Sequence, residues 1–374
     1  MNKKELELYI HIPFCVRKCS YCDFNSHVFC GEERELYKDA LCREIKKAKK
    51  SGEAVVDTVY FGGGTPTVME PRQLVDILDV IRGEFTLAEN CEITTECNPA
   101  TIDKKGFEIL RGGGFNRIST GLQSANDGEL KILGRIHSAA QGAECIQAAK
   151  DAGFSNISAD LMFGLPKQSK ESWKRSVEFA LGLGITHISC YALKIEDGTP
   201  FSQMKLNLPS DDESCDMYDE CRKILYDNGF MRYEISNFAK KGFESRHNLK
   251  YWRYDDFIGF GAGAYSCLNG VRYSNIRDTA KYIKAVNDND TLTEASETLD
   301  KSNMMSEFMF LGLRTAKGIC EDEFKRRFGT DVFDVFGDAL LKNINRGTML
   351  REGGRLRIPD KYIYVCNSIM VDFV

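Results

Sequence analysis

The chain has 374 residues, of which 43% are hydrophobic and 28% are charged, and its formal net charge is -5 at pH 7. These values are typical of a folded chain with one large domain and a smaller one, and they exclude a disordered or collagen-like protein. Fifty Lys and Arg against fifty-five Asp and Glu provide no overall basic field, so we do not expect nucleic acid as a partner.

Short apolar segments alternate with helical ones through the first 235 residues. The predicted strands are residues 8–12, 56–64, 91–96, 116–124, 156–166 and 187–193. This repeated βα unit predicts an α/β fold in which a parallel sheet curls into a partial or full barrel. The site of such a barrel lies at the carboxyl ends of its strands, where Gly62 to Thr65, Glu96 and Gln123 fall.

The pattern changes after residue 235. Residues 236–270 are rich in aromatic residues, Gly and polar residues, and we expect irregular connections with little regular structure there. From about residue 300 the apolar spacing indicates helices, followed by a hairpin with Gly353 and Gly354 at its turn. Helices followed by a hairpin resemble a winged helix. Because the chain is acidic, we expect this module to serve packing or a partner protein rather than DNA.

The predicted organisation therefore has three parts. They are a barrel domain with a cluster loop over 1–235, a connecting segment over 236–298 and a smaller C-terminal α+β module over 299–374. No segment approaches the roughly 18 consecutive apolar residues of a membrane span, and the chain does not begin with the apolar core of a secretory signal. We expect a cytoplasmic protein that is not integral to a membrane.

Three of the fourteen cysteines depart from an otherwise scattered distribution. Cys15, Cys19 and Cys22 fall within eight residues directly after the first predicted strand. A structural zinc site would normally recruit a second CxxC pair, and the chain has none. Iron–sulfur clusters are held by thiolates, and three thiolates on four irons leave one iron open to an exogenous chelate. The remaining cysteines are expected to be free and mostly buried.

The CxxxCxxC spacing, with Tyr21 before its third Cys, resembles the radical S-adenosylmethionine (SAM) superfamily, in which SAM chelates the fourth iron of a 4Fe-4S cluster. Gly62-Gly63-Gly64-Thr65-Pro66 ends the second predicted strand and resembles the GGTP motif of that superfamily. From Tyr9 to the C-terminus the chain is similar to its coproporphyrinogen III dehydrogenase-like (HemN-like) branch. This resemblance implies a partial (β/α)6 TIM-like barrel and a core capable of reductive SAM cleavage.

The same resemblance implies the cofactor contacts. The cluster ligands would be Cys15, Cys19 and Cys22. The SAM contacts would be Tyr9, Tyr21, Gly63, Gly64, Thr65, Glu96, Gln123, Arg135, Asp160, Ala192 and Tyr265. Carboxylates can accept hydrogen bonds from ribose hydroxyls and an ammonium group, and Arg can pair with a carboxylate.

Two departures from the branch bear on activity. Porphyrinogen-oxidising members carry a further Cys two residues after the third, where this chain has Phe24, and an N-terminal extension, whereas only eight residues precede Tyr9. We therefore expect no coproporphyrinogen III dehydrogenase activity, and no catalytic residue is assigned.

Residues 247–252 resemble the HNxxYW motif of HemW-type haem chaperones. This resemblance implies haem binding through His247, Tyr251 and Trp252, and transfer of haem to respiratory client proteins at the membrane. A neutral imidazole is a common axial ligand of haem iron. A lone His among aromatic residues is also an ordinary packing arrangement.

Three functions remain open at this point. The first is a haem chaperone with a radical SAM core. The second is a radical SAM enzyme acting on a porphyrin or another aromatic substrate, as a coproporphyrinogen III dehydrogenase or a methyltransferase. The third is a non-catalytic iron–sulfur scaffold, which would hold a cluster without affinity for SAM. The sequence does not distinguish a monomer from a homodimer, nor does it identify the client.

Overall fold

A computed structural model describes residues 5–48 and 54–374 of the chain. Its strands are β1 Glu5–Ile12, β2 Phe14–Cys15, β3 His27–Val28, β4 Val55–Gly63, β5 Thr86–Cys97, β6 Arg117–Gln123, β7 Asn156–Phe163, β8 His187–Ala192, β9 Met231–Arg232, β10 Asn237–Ala239, β11 Phe257–Phe260, β12 Tyr265–Leu268, β13 Val271–Asn275, β14 Thr293–Thr298, β15 Ile319–Cys320, β16 Leu350–Glu352 and β17 Arg355–Arg357. Its α-helices are α1 Glu33–Lys47, α2 Pro71–Glu84, α3 Lys104–Gly112, α4 Asp127–Leu133, α5 Ala139–Asp151, α6 Lys170–Gly182, α7 Asp211–Asp227, α8 Arg246–Trp252, α9 Thr279–Asp288, α10 Lys301–Gly312, α11 Glu321–Phe328, α12 Val332–Asn345 and α13 Cys366–Met370.

The six predicted barrel strands are confirmed. Strands β1, β4, β5, β6, β7 and β8 lie side by side in chain order and pair in parallel. At least one helix separates each consecutive pair, as a parallel connection requires. The sheet as a whole has 12 strands in the order β14-β13-β12-β11-β1-β4-β5-β6-β7-β8-β10-β9, and its two end strands do not pair with each other. The fold is therefore a partial barrel.

Buried helix contacts fix the strands that carry the predicted site residues. Helix α6 begins after Ser169, whose Oγ accepts a hydrogen bond from the amide of Ser172 over 3.2 Å. The fully buried Trp173 of this helix donates from Nε1 to the carbonyl of Met217 on α7, at 2.8 Å. Burying an indole in this way stabilises the α6–α7 layer behind β7 and β8.

The prediction of irregular structure over residues 236–270 is wrong. Strand β11 adds to the parallel sheet beside β1, with Tyr9 opposite Gly259, and β12, β13 and β14 continue it as an antiparallel meander. A Cβ at Gly259 would lie 2.1 Å from the carbonyl oxygen of Tyr265. Glycine here marks a close approach of two strands rather than a loop. The sheet consequently continues across the domain boundary that we predicted at residue 235.

The C-terminal module contains the predicted helices and hairpin. Gly353 and Gly354 have φ values of 56° and 71°, as a type I′ turn between β16 and β17 requires. The module has a hydrophobic core of its own, which includes Phe308 and Phe324. Arg327 of α11 pairs with Asp255, next to the end of α8, and so fastens the module to the barrel sheet. Within the described ranges, no helix combines the length and apolar character needed to cross a bilayer.

Candidate cofactor site

The cysteine loop lies at the carboxyl end of β1, where parallel barrels place their sites. Cys15 ends the short strand β2 and is buried, and Cys19 and Cys22 are half-buried. All three line one cavity of about 280 Å³, which we call the cluster cavity. The loop is held to the barrel because the amide of Ser20 donates to the carbonyl of Leu133 over 3.0 Å.

The environment of the thiols suits an iron–sulfur cluster. Burial raises the pKa of the Cys15 and Cys22 thiols, so a cationic group is needed to stabilise their thiolates. No group of three or more His, Cys, Asp or Glu side chains in the described parts of the chain is arranged to hold a single metal ion. A cubane cluster places each thiolate on a different iron, so its ligands need not converge on one point. The three-thiol set therefore fits a cluster.

The GGTP turn packs directly against the cysteine loop. The amide of Gly64 donates to the carbonyl of Ile12 over 2.8 Å, and the amide of Thr65 donates to that of Phe14 over 2.7 Å. A Cβ at Gly64 would lie 2.6 Å from the carbonyl oxygen of Phe14. Gly63 has a φ of 109°, which an L side chain rarely adopts. These glycines keep the turn close enough for the Thr65 hydroxyl to lie 3.7 Å from Sγ of Cys15.

Two of the four acidic residues that line the cluster cavity are the predicted Glu96 and Asp160. Glu96 Oε1 accepts a hydrogen bond from the Tyr60 hydroxyl at 2.8 Å, and its Oε2 accepts one from the Gly63 amide at 3.3 Å. Burial raises the pKa of Glu96 to about 7, although the bond from Tyr60 lowers it. Asp160 accepts from the Ser189 hydroxyl at 2.8 Å, and burial raises the pKa of Asp160 as well. Both side chains could accept hydrogen bonds from the ammonium or hydroxyl groups of a ligand.

Two further predicted residues, Gln123 on β6 and Arg135 after α4, also line the cluster cavity. Arg135 donates to the carbonyl of Gly121 at 2.7 Å and to Sγ of Cys19 at 3.5 Å, and its buried Nε has no partner. Gln123 adopts a φ of 66° and accepts a hydrogen bond from the Tyr191 hydroxyl at 2.8 Å. A left-handed non-glycine residue held by a half-buried tyrosine is typical of a site that requires one side-chain direction.

The predicted cluster ligands and SAM contacts divide between two adjoining cavities. Twelve of them line the cluster cavity: Cys15, Cys19, Tyr21, Cys22, Gly63, Gly64, Thr65, Glu96, Gln123, Arg135, Asp160 and Ala192. Tyr9 and Tyr265 line a second cavity of about 420 Å³, the Tyr9 cavity. Gly63, Glu96 and Phe24 line both.

Sequence reasoning did not find the tyrosines that hold these side chains. Tyr60 donates to Glu96, and Tyr191 donates to Gln123. The strand period contains a usable signal, because alternate residues of a strand face the same side. Tyr60 therefore faces the same side of its strand as Gly62, which precedes the GGTP motif. Tyr191 faces the same side as Ser189, whose hydroxyl donates to the predicted Asp160.

The HNxxYW segment forms α8, which begins after Ser245; the Oγ of Ser245 accepts a hydrogen bond from the amide of Asn248 at 3.3 Å. His247 is buried beneath this helix, whereas Tyr251 lines the Tyr9 cavity. Trp252 lines a third cavity of about 750 Å³ between the barrel and the C-terminal module, the Trp252 groove. The structure does not bring the three residues to one surface.

Both ring nitrogens of His247 have partners. Nδ1 lies 2.8 Å from Thr58 Oγ1, and Nε2 lies 3.1 Å from the Tyr251 hydroxyl. Burial, reinforced by Arg117 and Lys250, lowers the pKa of His247 to about 3, so the imidazole is neutral. Coordination of haem iron by His247 stays a prediction, and it would require the ring to leave one of these contacts.

Comparison with known proteins decides the family. Residues 9–180 match the radical SAM superfamily, and residues 299–364 match the HemN C-terminal domain. The heme chaperone HemW of Lactococcus lactis is 35% identical over 100% of this chain and 98% of its own length. The chain belongs to the HemW family of radical SAM proteins. The HemW of Escherichia coli is 40% identical over 70% of this chain and 69% of its own.

A solved structure has the same fold. Coproporphyrinogen III oxidase (HemN) of Escherichia coli, described as a radical SAM enzyme, superposes with a TM-score of 0.87 at 22% identity, covering 99% of this chain and 90% of the other. Membership of the radical SAM superfamily implies a 4Fe-4S cluster and SAM for this HemW-family chain. The three thiols beside a cavity with acidic and basic walls fit that pair of cofactors.

Proposed function

We propose that this protein is a haem chaperone built on a radical SAM core. It would bind haem, a 4Fe-4S cluster and SAM, and deliver haem to a client protein of the respiratory chain at the membrane. The observation that carries the proposal is the full-length match to a heme chaperone HemW, in a chain whose predicted cluster and SAM residues line two adjoining cavities. We place this activity in the cytoplasm.

Six of the residues that line the cluster cavity have roles in this proposal. Cys15, Cys19 and Cys22 hold the cluster and leave one iron for SAM. Glu96 and Asp160 accept hydrogen bonds from the amino acid or ribose part of SAM, and Arg135 supplies positive charge beside Cys19. When bound and reduced, the cluster would supply the electron for reductive cleavage of SAM. The protein's contribution is to position these groups and to limit access of water.

Phe24 supports a role other than porphyrinogen oxidation. Its side chain is 60% exposed at the junction of the cluster cavity and the Tyr9 cavity. A phenyl ring there offers an apolar contact where porphyrinogen-oxidising relatives would offer a thiol. The curated relatives likewise favour a chaperone over an enzyme that acts on a porphyrin.

We place the haem in the Trp252 groove. Its volume of about 750 Å³ is within the range of cofactor pockets, roughly 300–1,000 Å³. Trp252 provides aromatic surface for a flat macrocycle, and Arg253, Lys317 and Arg355 are exposed cations that can pair with its carboxylates. Of the acidic residues that line the groove, Asp255 and Glu323 are already paired with Arg327, and Glu244 accepts a hydrogen bond from the Gly242 amide. Cys320 also lines the groove, and thiolates can hold haem iron.

A haem titration and an activity assay of the anaerobically reconstituted protein test the function. Haem added to the protein should give a saturable Soret band. Coproporphyrinogen III, supplied with SAM and a reductant, should yield no protoporphyrinogen at an enzymatic rate, on the order of 1 per second. Absence of saturable haem binding would contradict the proposal, and formation of protoporphyrinogen at such a rate would favour the enzyme instead.

A further inference from the structure

A continuous chain of contacts runs from the HNxxYW helix to the cluster cavity. We propose that His247 is a positioning residue for SAM, and that it acts through Tyr60 on the carboxylate of Glu96. The proposal rests on the SAM-binding role proposed above for Glu96. It assigns the HNxxYW histidine to the SAM site instead of to haem iron.

The first contact is between two aromatic rings. The imidazole of His247 stacks on the phenol of Tyr60 with ring centroids 4.9 Å apart and planes inclined by 17°. Tyr60 stacks in turn on Tyr9, at 6.3 Å and 20°. The register of the sheet dictates this order, because Tyr9 stands opposite Tyr60 on neighbouring strands β1 and β4. The three rings therefore form one stack inside the barrel.

The second contact passes from the ring stack to the carboxylate. The Tyr60 hydroxyl donates to Oε1 of Glu96 at 2.8 Å. The space between them is closed, since a Cβ at Gly62 would lie 2.8 Å from Cε1 of Tyr60 and 3.1 Å from Oε1 of Glu96. The first glycine of the GGG sequence is thus required by the Tyr60–Glu96 contact. A shift of the Tyr60 ring would move the carboxylate that faces SAM.

His247 is itself fixed from two sides. Its Nδ1 is hydrogen-bonded to Thr58 on β4, and its Nε2 is hydrogen-bonded to Tyr251, one helical turn later on α8. Glu7, opposite Thr58 on β1, places Oε2 3.4 Å from Nδ1. An imidazole with two polar partners and a flat face is the side chain that can hold both elements while stacking on Tyr60. No open cavity among those described reaches its ring nitrogens.

The test measures SAM affinity by equilibrium dialysis against cluster-loaded, oxidised protein, in which SAM is not cleaved. Tyr60→Phe removes only the hydroxyl, and it should weaken SAM binding about tenfold, as loss of a hydrogen bond to a charged group does. His247→Phe keeps an aromatic ring but loses both ring nitrogens, and it should weaken SAM binding about threefold. The double variant should lose little more than Tyr60→Phe alone, since a residue that acts through another is not additive with it.

His187 offers a matched control. It is equally buried, its Nδ1 lies 2.6 Å from Ser158 Oγ, and its Nε2 lies 2.7 Å from the Tyr233 hydroxyl. It lines none of the described cavities and does not touch Glu96. His187→Phe should therefore cost a similar amount of folding stability without weakening SAM binding.

Each other outcome would overturn the proposal. Unchanged SAM affinity in His247→Phe, additive losses in the double variant, or equal losses in His187→Phe would reduce His247 to a packing role. Loss of the Soret band with unchanged SAM affinity would make His247 the haem ligand. Wild-type protein that binds haem but not SAM would overturn this inference and leave the haem chaperone standing. If His247→Phe does not fold, Tyr60→Phe still tests the second contact of the chain, between Tyr60 and Glu96, and undiminished SAM affinity in that variant is the contrary result.

Discussion

The guanidinium group of Arg135 donates a hydrogen bond to Sγ of Cys19 over 3.5 Å, 116 residues away in the chain. A positive charge beside a cluster thiolate stabilises the reduced, more negative state of the cluster. Hydrogen bonds to cluster sulfurs and the local charge are two of the factors that set reduction potentials.

Replacement of this charge should therefore lower the cluster potential. We expect Arg135→Met to assemble the cluster but to shift its potential to a more negative value, as measured by EPR-monitored redox titration. Arg253→Met removes an exposed cation of the Trp252 groove and should leave the potential unchanged. Equal potentials in Arg135→Met and wild type would show that the contact does not act on the cluster.

Removal of the cluster ligands should abolish iron binding. After anaerobic reconstitution, the variant with Cys15, Cys19 and Cys22 all changed to Ala should contain little iron and sulfide, because cubane clusters depend on their thiolates. Cys30→Ser alters an exposed cysteine of the same region and should keep a full cluster. Retention of about four irons per chain in the triple variant would exclude these three residues as the ligands.

The pKa of Glu96 makes SAM binding dependent on pH. Burial raises this pKa to about 7. The groups that face Glu96 are Tyr60 and the Gly63 amide, whose hydrogen bonds lower the pKa, Asp160, which raises it, and Arg117, which lowers it. The carboxylate is ionised above pH 7 and protonated below, so SAM affinity should fall as the pH drops through 7.

Tyr60→Phe provides the accompanying test. Loss of its hydrogen bond should raise the pKa of Glu96 and move the fall in SAM affinity to higher pH. Glu96→Gln carries no charge there and should bind SAM weakly at every pH. Dialysis at a series of pH values measures both, and a wild-type affinity that is flat from pH 6 to pH 8 would disagree with the role of Glu96.

The Trp252 groove makes a separate prediction about haem. Trp252→Ala should weaken haem binding by about 1 kcal/mol through lost stacking, and Cys320→Ala should shift the Soret band if its thiolate ligates the iron. Tyr251→Ala opens the Tyr9 cavity instead and should leave haem affinity near the wild-type value. If Tyr251→Ala weakens haem binding more than Trp252→Ala, the haem lies on the Tyr9 side of α8.

Local sequence was sufficient to predict the barrel and its cysteine loop. Strands such as β4 and β7 are short and mostly apolar segments, and the spacing of Cys15, Cys19 and Cys22 is a property of eight consecutive residues. Both signals lie within a window in which periodicity and spacing can be recognised. The C-terminal hairpin was likewise indicated by Gly353 and Gly354 at its turn.

Only the tertiary structure decided what surrounds the HNxxYW motif. Residues 236–270 have the composition of a loop, yet β11 becomes a strand because its edge pairs with β1, about 250 residues earlier. His247 is separated by 189 residues from the Thr58 hydroxyl that it meets. Burial and hydrogen-bond partners of a polar side chain depend on contacts made across the fold, and no local window of the sequence contains them. The sequence determined that a histidine stands in this motif, and the packing of α8 on β4 determined that its ring faces Tyr60.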